Sequence, residues 1–459
     1  MVTTRSQTLA KQQALGIFKA YIEPISAFSV MPIALFCLIH FLFNSPKGQA
    51  NLTLIPEFFS KNYKGDLSKY TNDIISMAKP TIFGLVVVIG FSLFEFLNMS
   101  LVPGQKIKGQ PSPSGFVPYY KKNGRLCHYF AMMCLVLLTI YLKTNWNFSP
   151  TIVIAQFPQV LSAANIVAFV LTLVFYLKAK LSPNSDIVKR DYFFYDFFHG
   201  IELFPRFFNV DLKWFLNCRI GMRCWKILVL LCLLLDYENT GSFRLSTSVT
   251  CGLQLLYMTK FFLYEEYFFN TMDNLFDHGG FYIIWGCYFF LPALYPLPSI
   301  YQALGHDSPQ ASPVLSIFSL FLGLFFLTTQ RLAEADKNIA RASKGEKGAL
   351  GKPTFIRAQY RTEHDKATHE SLLLTSGFWK VSRHYNYLAE LGMALAWTLP
   401  TGFNSLIPYI YVMFLAILLV VRSIKDDERC RKKYFFFFIF LKYIPFFQFS
   451  FVQVWKLLG

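Results

Sequence analysis

Long runs of apolar residues constrain this chain more than any other feature of its sequence. A helix that crosses a membrane needs about 20 mostly apolar residues, and ten segments come near that length. They lie at 24–43, 80–101, 126–143, 160–181, 223–237, 248–268, 280–303, 313–329, 387–400 and 405–422. The pattern predicts an all-α, polytopic integral membrane protein with about ten transmembrane helices.

Charge and cysteine usage narrow the class of protein further. Only 15% of the residues are charged, against about 25% in an average soluble domain. The net charge of +17 would also suit a nucleic-acid-binding protein. However, the basic residues lie in loops that flank apolar runs, where membrane proteins collect them on the cytosolic side. We therefore expect membrane lipids as neighbours and no nucleic acid. The nine cysteines show no metal spacing, so we expect no metal.

The loop charges predict which loops are cytosolic. The loop 103–125 carries five cations and no acid, whereas 144–159 carries no charge. By the positive-inside rule the basic loops face the cytosol. The alternation assigns 103–125, 182–222, 270–279, 330–370 and both termini to the cytosolic side. Residues 1–23 are polar and show no cleavable signal, so the first span is predicted to be an uncleaved anchor.

We predict three parts along the chain. A short cytosolic segment at 1–23 precedes one membrane domain at 24–434, and no internal repeat is evident within that domain. Residues 435–459 form an atypical tail that begins with a run of phenylalanines.

The first polar motif is Gly200-Ile-Glu-Leu-Phe-Pro-Arg206, followed by Asn217-Cys-Arg-Ile-Gly-Met222. From the residues alone it can be an ordinary cytosolic loop in which Glu202 pairs with Arg206 or Lys213. A site role is the alternative.

The second motif places the carboxylates of Glu265, Asp273 and Asp277 beside an apolar run that contains Tyr282. Carboxylates near a membrane span are costly, and each is a functional candidate. Asp273 and Asp277 can equally cap a helix that begins near Gly280. The sequence leaves both interpretations open.

The third motif is the densest, because residues 383–387 read Arg-His-Tyr-Asn-Tyr at the start of an apolar helix, shortly after Trp379. An interfacial belt of aromatic and basic residues is one interpretation. A phosphate-binding site is the other, since arginine suits bidentate contact with phosphate. Lys337 and Arg341, four residues apart, share a helix face and can serve the same ligand.

The fourth motif is the charged run Asp426–Tyr434. On its own it is a juxtamembrane basic cluster of the kind that attracts anionic lipid.

These four motifs together resemble the membrane sterol reductases, which use NADPH to saturate a double bond of a sterol ring. That family carries a Gly-x-Glu-Leu-x-Pro-Arg element like residues 200–206. Ile201 and Tyr385 are similar to its Δ7 group, whereas the Δ14 group tends to have Arg and Pro there. The resemblance implies an endoplasmic reticulum membrane enzyme with NADPH and sterol pockets in its C-terminal half. Its substrate would be a Δ5,7-sterol such as 7-dehydrocholesterol, which enters from the bilayer.

The resemblance also implies roles for individual residues. The cofactor residues are Lys337, Arg341, Leu374, Trp379, Arg383, Asn386, Tyr387, Asp426, Cys430, Arg431, Lys432, Lys433 and Tyr434. Glu202, Glu265 and Asp273 are assigned to the sterol, and Asp277, Tyr282 and His384 are the candidates for proton delivery. At position 276 the family typically has histidine and this chain has Phe276. No Gly-x-Gly-x-x-Gly follows a strand, so the nucleotide pocket is expected between membrane helices.

Two other functions stay open from the sequence. One is a Δ14-sterol reductase, and the other is a catalytically impaired membrane scaffold that binds sterol.

Overall fold

A computed structural model describes residues 22–112, 115–183, 186–188, 192–208, 210–307, 312–361 and 368–433. These residues are mostly helical. The predicted tail at 435–459 and nearly all of the predicted N-terminal segment lie outside them.

Seven helical stretches in the described part of the chain are long and apolar enough to cross a membrane. They are Pro24–Asn44, Ile82–Leu101, Gly124–Trp146, Phe157–Leu181, Phe281–Ala303, Pro313–Ala342 and Ile407–Cys430. Each coincides with one of the ten predicted spans, so the sequence pattern located these seven.

The other three predicted spans are helices that fall short of that standard. Met222–Thr240 carries charged residues at both ends, including Arg223 and Asp236. Leu245–Leu263 contains several Ser, Thr and Gln residues. Tyr385–Thr398 has 14 residues, which at 1.5 Å per residue spans about 21 Å, less than the roughly 30 Å of a bilayer core.

The described residues are mostly helical, as the all-α prediction expects, and three two-stranded antiparallel sheets, which were not predicted, lie in the loops. Gln105–Lys108 pairs with Tyr119–Lys122, Arg206–Phe207 with Val210–Asp211, and Phe355–Arg361 with Thr368–Leu374. Apolar runs predict helices, whereas the polar loops between them carry no such pattern and were expected to be irregular. A polar chain that folds back on itself satisfies its own backbone groups by pairing.

The remaining helices are shorter and lie between these elements. They are Ile55–Tyr63, Leu67–Met77, Ile152–Ala155, Phe193–His199, Leu212–Trp214, Met272–Leu275 and, inside the span 281–303, Phe281–Trp285, Leu291–Leu294 and Leu297–Ala303. Phe215–Gly221 and Gly286–Phe290 are π-helical, a form that is frequent at functional sites. Glu265–Asn270 and Gly377–Lys380 are 3-10 helices.

The chain divides into two compact units. Among the described residues, the first comprises those up to Phe243 together with Leu255–His306, and the second comprises Arg244–Gln254 together with Asp307 and those from residue 312 onward. In the first unit Ile82–Leu101 packs on Phe157–Leu181. A Cβ at Gly84 would lie 2.8 Å from the carbonyl oxygen of Gln159, so glycine permits this close approach.

The second unit is built on Pro313–Ala342 and Tyr385–Thr398, which pack against each other. Ala333 and Ala389 are fully buried at this contact beside Tyr385. A Cβ at Gly392 would overlap the ring of Phe326. Small residues on the facing surfaces let the two helices approach closely.

Candidate active site

In the first unit, the first and second sequence motifs lie against each other. Gly200 has φ +87°, and a Cβ there would lie 2.5 Å from the backbone nitrogen of Gly280. The amide of Gly279 donates to the carbonyl oxygen of Glu202 over 3.0 Å. The backbones of the two glycine-containing segments are therefore in direct contact, and a side chain at Gly200 or Gly280 would not fit.

Glu202 is buried, with 1% of its surface exposed. Its Oε2 lies 2.7 Å from the Nζ of Lys178, on the helix Phe157–Leu181. Arg206 donates to the carbonyl oxygen of Tyr119. Glu202 therefore forms an ion pair, as one interpretation expected. Its partner is Lys178, whereas the sequence suggested Arg206 or Lys213.

Asp273 and Asp277 belong to the segment 272–278, which we call the acidic turn. Both side chains are partly buried. The helix Phe281–Trp285 begins after Gly280, and no side chain at that position caps it. Phe276 is 46% exposed. The ring of Tyr282 lies 5.9 Å from the ring of Phe198. Tyr282 belongs to the first unit, as both aspartates do.

Glu265 belongs to a buried ionic cluster of the first unit. Its Oε1 lies 2.8 Å from Nη1 of Arg219, which is fully buried, and it accepts a hydrogen bond from the indole of Trp214. A second buried pair joins Glu95 to Nε of Arg223 over 3.1 Å. Buried charges of this kind persist only when paired.

In the second unit, two of the cofactor candidates are in contact, Lys337 and Trp379. Its indole nitrogen donates to the carbonyl oxygen of Ala333 over 3.0 Å. The Nζ of Lys337, one helical turn further along the same helix, lies 4.9 Å from the centre of the indole ring. The hydrogen bond fixes the ring plane and the cation lies over its face.

Arg383 is held by carboxylates of the helix Ile410–Lys433. Its Nη1 bonds to Oδ1 of Asp427, and its Nη2 lies 3.5 Å from Oδ2 of Asp426. Asp426 also pairs with Arg429 and accepts a weak contact from the thiol of Cys430. The third and fourth sequence motifs are thus joined by ion pairs.

His384 is buried and its ring stacks on that of Tyr387, with centroids 5.1 Å apart and planes 7° from parallel. Burial lowers the pKa of His384, and the charge of Arg383 lowers it further, while Asp426 and Asp427 act in the opposite direction. Its Nε2 has no hydrogen-bond partner among the described residues. A neutral imidazole with an unused nitrogen is suited to accept or donate one hydrogen bond to a ligand.

The remaining cofactor candidates are less tightly connected. Leu374 ends the strand Thr368–Leu374 opposite Phe355. Asn386 offers its carbonyl oxygen to the amide of Gln330, and Arg341 is exposed near the end of its helix. The side chains of Arg431, Lys432 and Lys433, and all of Tyr434, lie outside what the structure describes.

Besides Lys178, several residues of these clusters were not singled out from the sequence. Asp427, the direct partner of Arg383, was overlooked in favour of its neighbour Asp426. Glu95 and Arg223 form their buried pair from within apolar segments. A search for single charges inside apolar runs would have found both, since such charges are rarely incidental.

Seven helices of membrane length among the described residues, with charged residues paired in the interior, are the features of an integral membrane protein. The chain belongs to the Ergosterol biosynthesis ERG4/ERG24 family, whose profile matches residues 18–452, and it is accordingly a sterol reductase that acts on a carbon–carbon double bond. It is 36% identical to "7-dehydrocholesterol reductase" of Arabidopsis thaliana over 78% of this chain and 82% of that protein. The corresponding protein of Danio rerio is 35% identical, over 76% of this chain and 73% of that protein. "Delta(14)-sterol reductase TM7SF2" of Mus musculus is 34% identical, over 59% and 63%.

Proposed function

We propose that this chain is an NADPH-dependent enzyme of sterol biosynthesis that reduces the 7,8 double bond of Δ5,7-sterols such as 7-dehydrocholesterol. Its place would be the endoplasmic reticulum membrane, with both termini in the cytosol and sterol entering from the bilayer. The proposal that NADPH is the cofactor rests on the cluster around Trp379. The relatives named 7-dehydrocholesterol reductase, at 35–36% identity, support the substrate.

The residues around Trp379 fit a phosphorylated nucleotide. Lys337 contacts the indole ring, and no carboxylate pairs with its Nζ among the described residues, which leaves a cation for phosphate. The indole face can stack on a planar ring. The unpartnered Nε2 of His384 adds a polar contact, and the paired carboxylates of Asp426 and Asp427 hold Arg383 in place.

The proposed chemistry needs a proton at one carbon of the double bond and a hydride at the other. NADPH, when bound, supplies the hydride. An isolated ring alkene accepts hydride poorly, so an acid of the protein must first protonate one carbon. The neighbouring 5,6 double bond of a Δ5,7-sterol can delocalise the positive charge that results.

Asp277 is our first candidate for this acid, with Tyr282 and His384 next. Asp277 is a partly buried carboxyl group beside the span that begins at Phe281. A general acid matched to the working pH contributes about 10²–10⁴-fold to the rate. We further propose that Glu202, Glu265 and Asp273 line the sterol path. Glu202 and Glu265 are already paired with cations, so they would shape that path through their ion pairs.

The second candidate function is Δ14-sterol reduction, which the Mus musculus relative favours by its name. Against it stand Ile201 and Tyr385, where the Δ14 group tends to have Arg and Pro. Tyr385 is buried and its ring stacks on Phe378 with centroids 4.7 Å apart.

Sterol analysis by mass spectrometry separates these functions. The chain would be expressed in cells that lack their own Δ7 reductase and, in parallel, in cells that lack Δ14 reductase. Loss of Δ5,7-sterol in the first cells supports our proposal. Loss of Δ14-sterol in the second cells alone supports the alternative, and no change in either supports a non-catalytic sterol-binding scaffold.

A further inference from the structure

Lys213 is a buried lysine whose ammonium group contacts backbone carbonyl oxygens, and neither the ion pairs nor the proposed chemistry above gives it a role. It is 0% exposed and is the middle residue of the short helix Leu212–Trp214, which Asp211 caps. Its Nζ donates to the carbonyl oxygens of Asn274 over 2.6 Å and of Asp277 over 2.7 Å. A third, longer contact of 3.4 Å reaches the carbonyl oxygen of Asp273. The three N–H groups of one ammonium thus all point at the acidic turn.

The contacts have a clear physical meaning for the turn. The helix Met272–Leu275 has four residues, so its last carbonyl groups have no partner inside the helix. A cation at that end satisfies them and suits the negative end of the helix dipole. The amides of Leu275 and Phe276 complete the turn by donating to Thr271 and Met272. Lys213 therefore acts as a C-terminal cap supplied from another element.

We propose that Lys213 is a positioning residue, whose ammonium fixes the backbone of the acidic turn and thereby the direction in which Asp277 presents its carboxyl group. Lys213 donates directly to the carbonyl oxygen of Asp277, and this hydrogen bond restricts the backbone of Asp277, from which its carboxyl group extends. Displacing a reacting group by about 1 Å can cost 10²-fold in rate.

The charges around Lys213 agree with this role. Burial lowers the pKa of Lys213 to about 8, while the charges of Asp211, Asp277 and Asp273 act in the opposite direction. Its Nζ also lies 4.8 Å from the ring centre of Phe204. At pH 7 the ammonium carries three N–H groups. Above pH 8 the neutral amine carries two, so one of the three contacts must be given up.

The test is hydrogen–deuterium exchange of the purified full chain, comparing wild type with Lys213→Met. The variant keeps the length of the side chain and removes the donors. We expect the amides of Leu275 and Phe276 to exchange at least about tenfold faster, because buried acceptors that lose their donor are costly. The helix Leu67–Met77 serves as an internal reference and should not change. Unchanged exchange in the acidic turn would overturn the proposal.

A matched control comes from a second buried lysine of the same unit. Lys226 donates to the hydroxyl of Thr259 over 2.6 Å, and its ammonium makes no hydrogen bond to the acidic turn, all of whose residues the structure describes. Lys226→Met should leave the exchange of Leu275 and Phe276 at the wild-type rate. Equal acceleration in both variants would mean a general loss of packing and would also overturn the specific role of Lys213.

Turnover and pH complete the test. Loss of turnover matters only if Asp277 is the acid of the proposed function, whereas exchange of the turn amides does not depend on that role. Lys213→Met should lower kcat for a Δ5,7-sterol by about 10²-fold and leave the KM for NADPH unchanged. Faster exchange with normal kcat would overturn the catalytic part. An inactive wild type would count against the proposed reaction alone.

If Lys213→Met does not fold, the wild type still decides the matter. Corrected for the intrinsic rate, its protection at Leu275 and Phe276 should fall between pH 7 and pH 9.5, as Lys213 loses its proton. Protection that stays constant through that range, relative to the reference helix, would overturn the proposal.

Discussion

Gly124 shows how the size of one residue controls a buried ion pair. It begins the helix Gly124–Trp146, and a Cβ at this position would overlap Oε2 of Glu265. Gly124→Ala should therefore push Glu265 away from Arg219. Breaking a buried pair costs about 3–5 kcal/mol, so we expect a marked fall in the thermal midpoint of the purified protein.

The control for Gly124→Ala is Gly90→Ala. Gly90 lies within the helix Ile82–Leu101, and a Cβ there would meet nothing within 4 Å. Alanine is a better helix former than glycine by up to about 1 kcal/mol, so this variant should be neutral or slightly stabilised. Equal destabilisation by both variants would contradict the explanation from Glu265.

Asp277→Asn is the direct test of the proposed acid, since it keeps the shape and removes the titrating proton. We expect turnover of a Δ5,7-sterol to fall by about 10² or more, with unchanged binding of NADPH. Asp66→Asn is a suitable control, because Asp66 caps the helix Leu67–Met77 through Oδ1, which asparagine retains. Near-normal turnover of Asp277→Asn would shift attention to Tyr282 and His384.

Lys337→Ala tests the proposed cofactor cluster. Loss of a charged contact to phosphate costs about 1.5–3 kcal/mol, so the KM for NADPH should rise by about 10- to 10²-fold, with little change in sterol binding. Lys352→Ala removes an exposed cation from the loop that follows the same helix and should leave the KM unchanged. Equal values for both variants would reduce Lys337 to a membrane-flanking charge.

At the scale of single residues, the sequence singled out candidate residues but did not identify their partners. The third motif identified Trp379, Arg383 and His384 as one candidate cluster, because charged and aromatic groups at a helix mouth need partners. It could not identify Asp427 as the partner of Arg383. That choice depends on the rotation of the helix Ile410–Lys433, which no local pattern encodes.

Elements of the first unit are tied together by the pair of Glu95 and Arg223, on the helices Ile82–Leu101 and Met222–Thr240. The guanidinium also lies 4.3 Å from the ring centre of Phe262. Removing one charge leaves the other buried and unpaired, which costs more than removing both.

We therefore predict a strong coupling between Glu95 and Arg223. Glu95→Gln and Arg223→Met should each destabilise the purified protein by about 3–5 kcal/mol. The double variant should lose clearly less than the sum of the two, as expected for residues in direct contact. Additive losses in denaturant unfolding would show that the pair does not act as a unit.

At the scale of elements, the lengths of the apolar runs predicted where helices lie. They predicted neither the sheets in the polar loops nor the packing between segments. Apolar runs locate helices well because a membrane-spanning segment must satisfy its backbone internally. The same rule is silent on polar loops, which is why the sheet of Phe355–Arg361 with Thr368–Leu374 was not predicted. It is silent on packing as well: the crossing of Gly200 with Gly280 depends on residues 80 positions apart.

The topology of the whole molecule depends on how many helices cross the membrane. The helices Met222–Thr240 and Leu245–Leu263 are consecutive, so counting or omitting both leaves every later loop on the same side. If the N-terminus is cytosolic, as we predict, the loop 343–384 is expected in the cytosol with either count. Only Tyr385–Thr398, with its 14 residues, decides the side on which the chain emerges after residue 433.

A reporter experiment in cells resolves this count. Glycosylation acceptors inserted at 345–350 should stay unmodified, because both counts place this loop in the cytosol, where NADPH is supplied. An acceptor fused after residue 459 should also stay unmodified if Tyr385–Thr398 crosses, as the basic charges that follow it predict. Its modification would mean that this short helix does not cross and that the termini lie on opposite sides. Modification at 345–350 would instead contradict the cofactor assignment of Lys337, since the end of its helix would face the lumen.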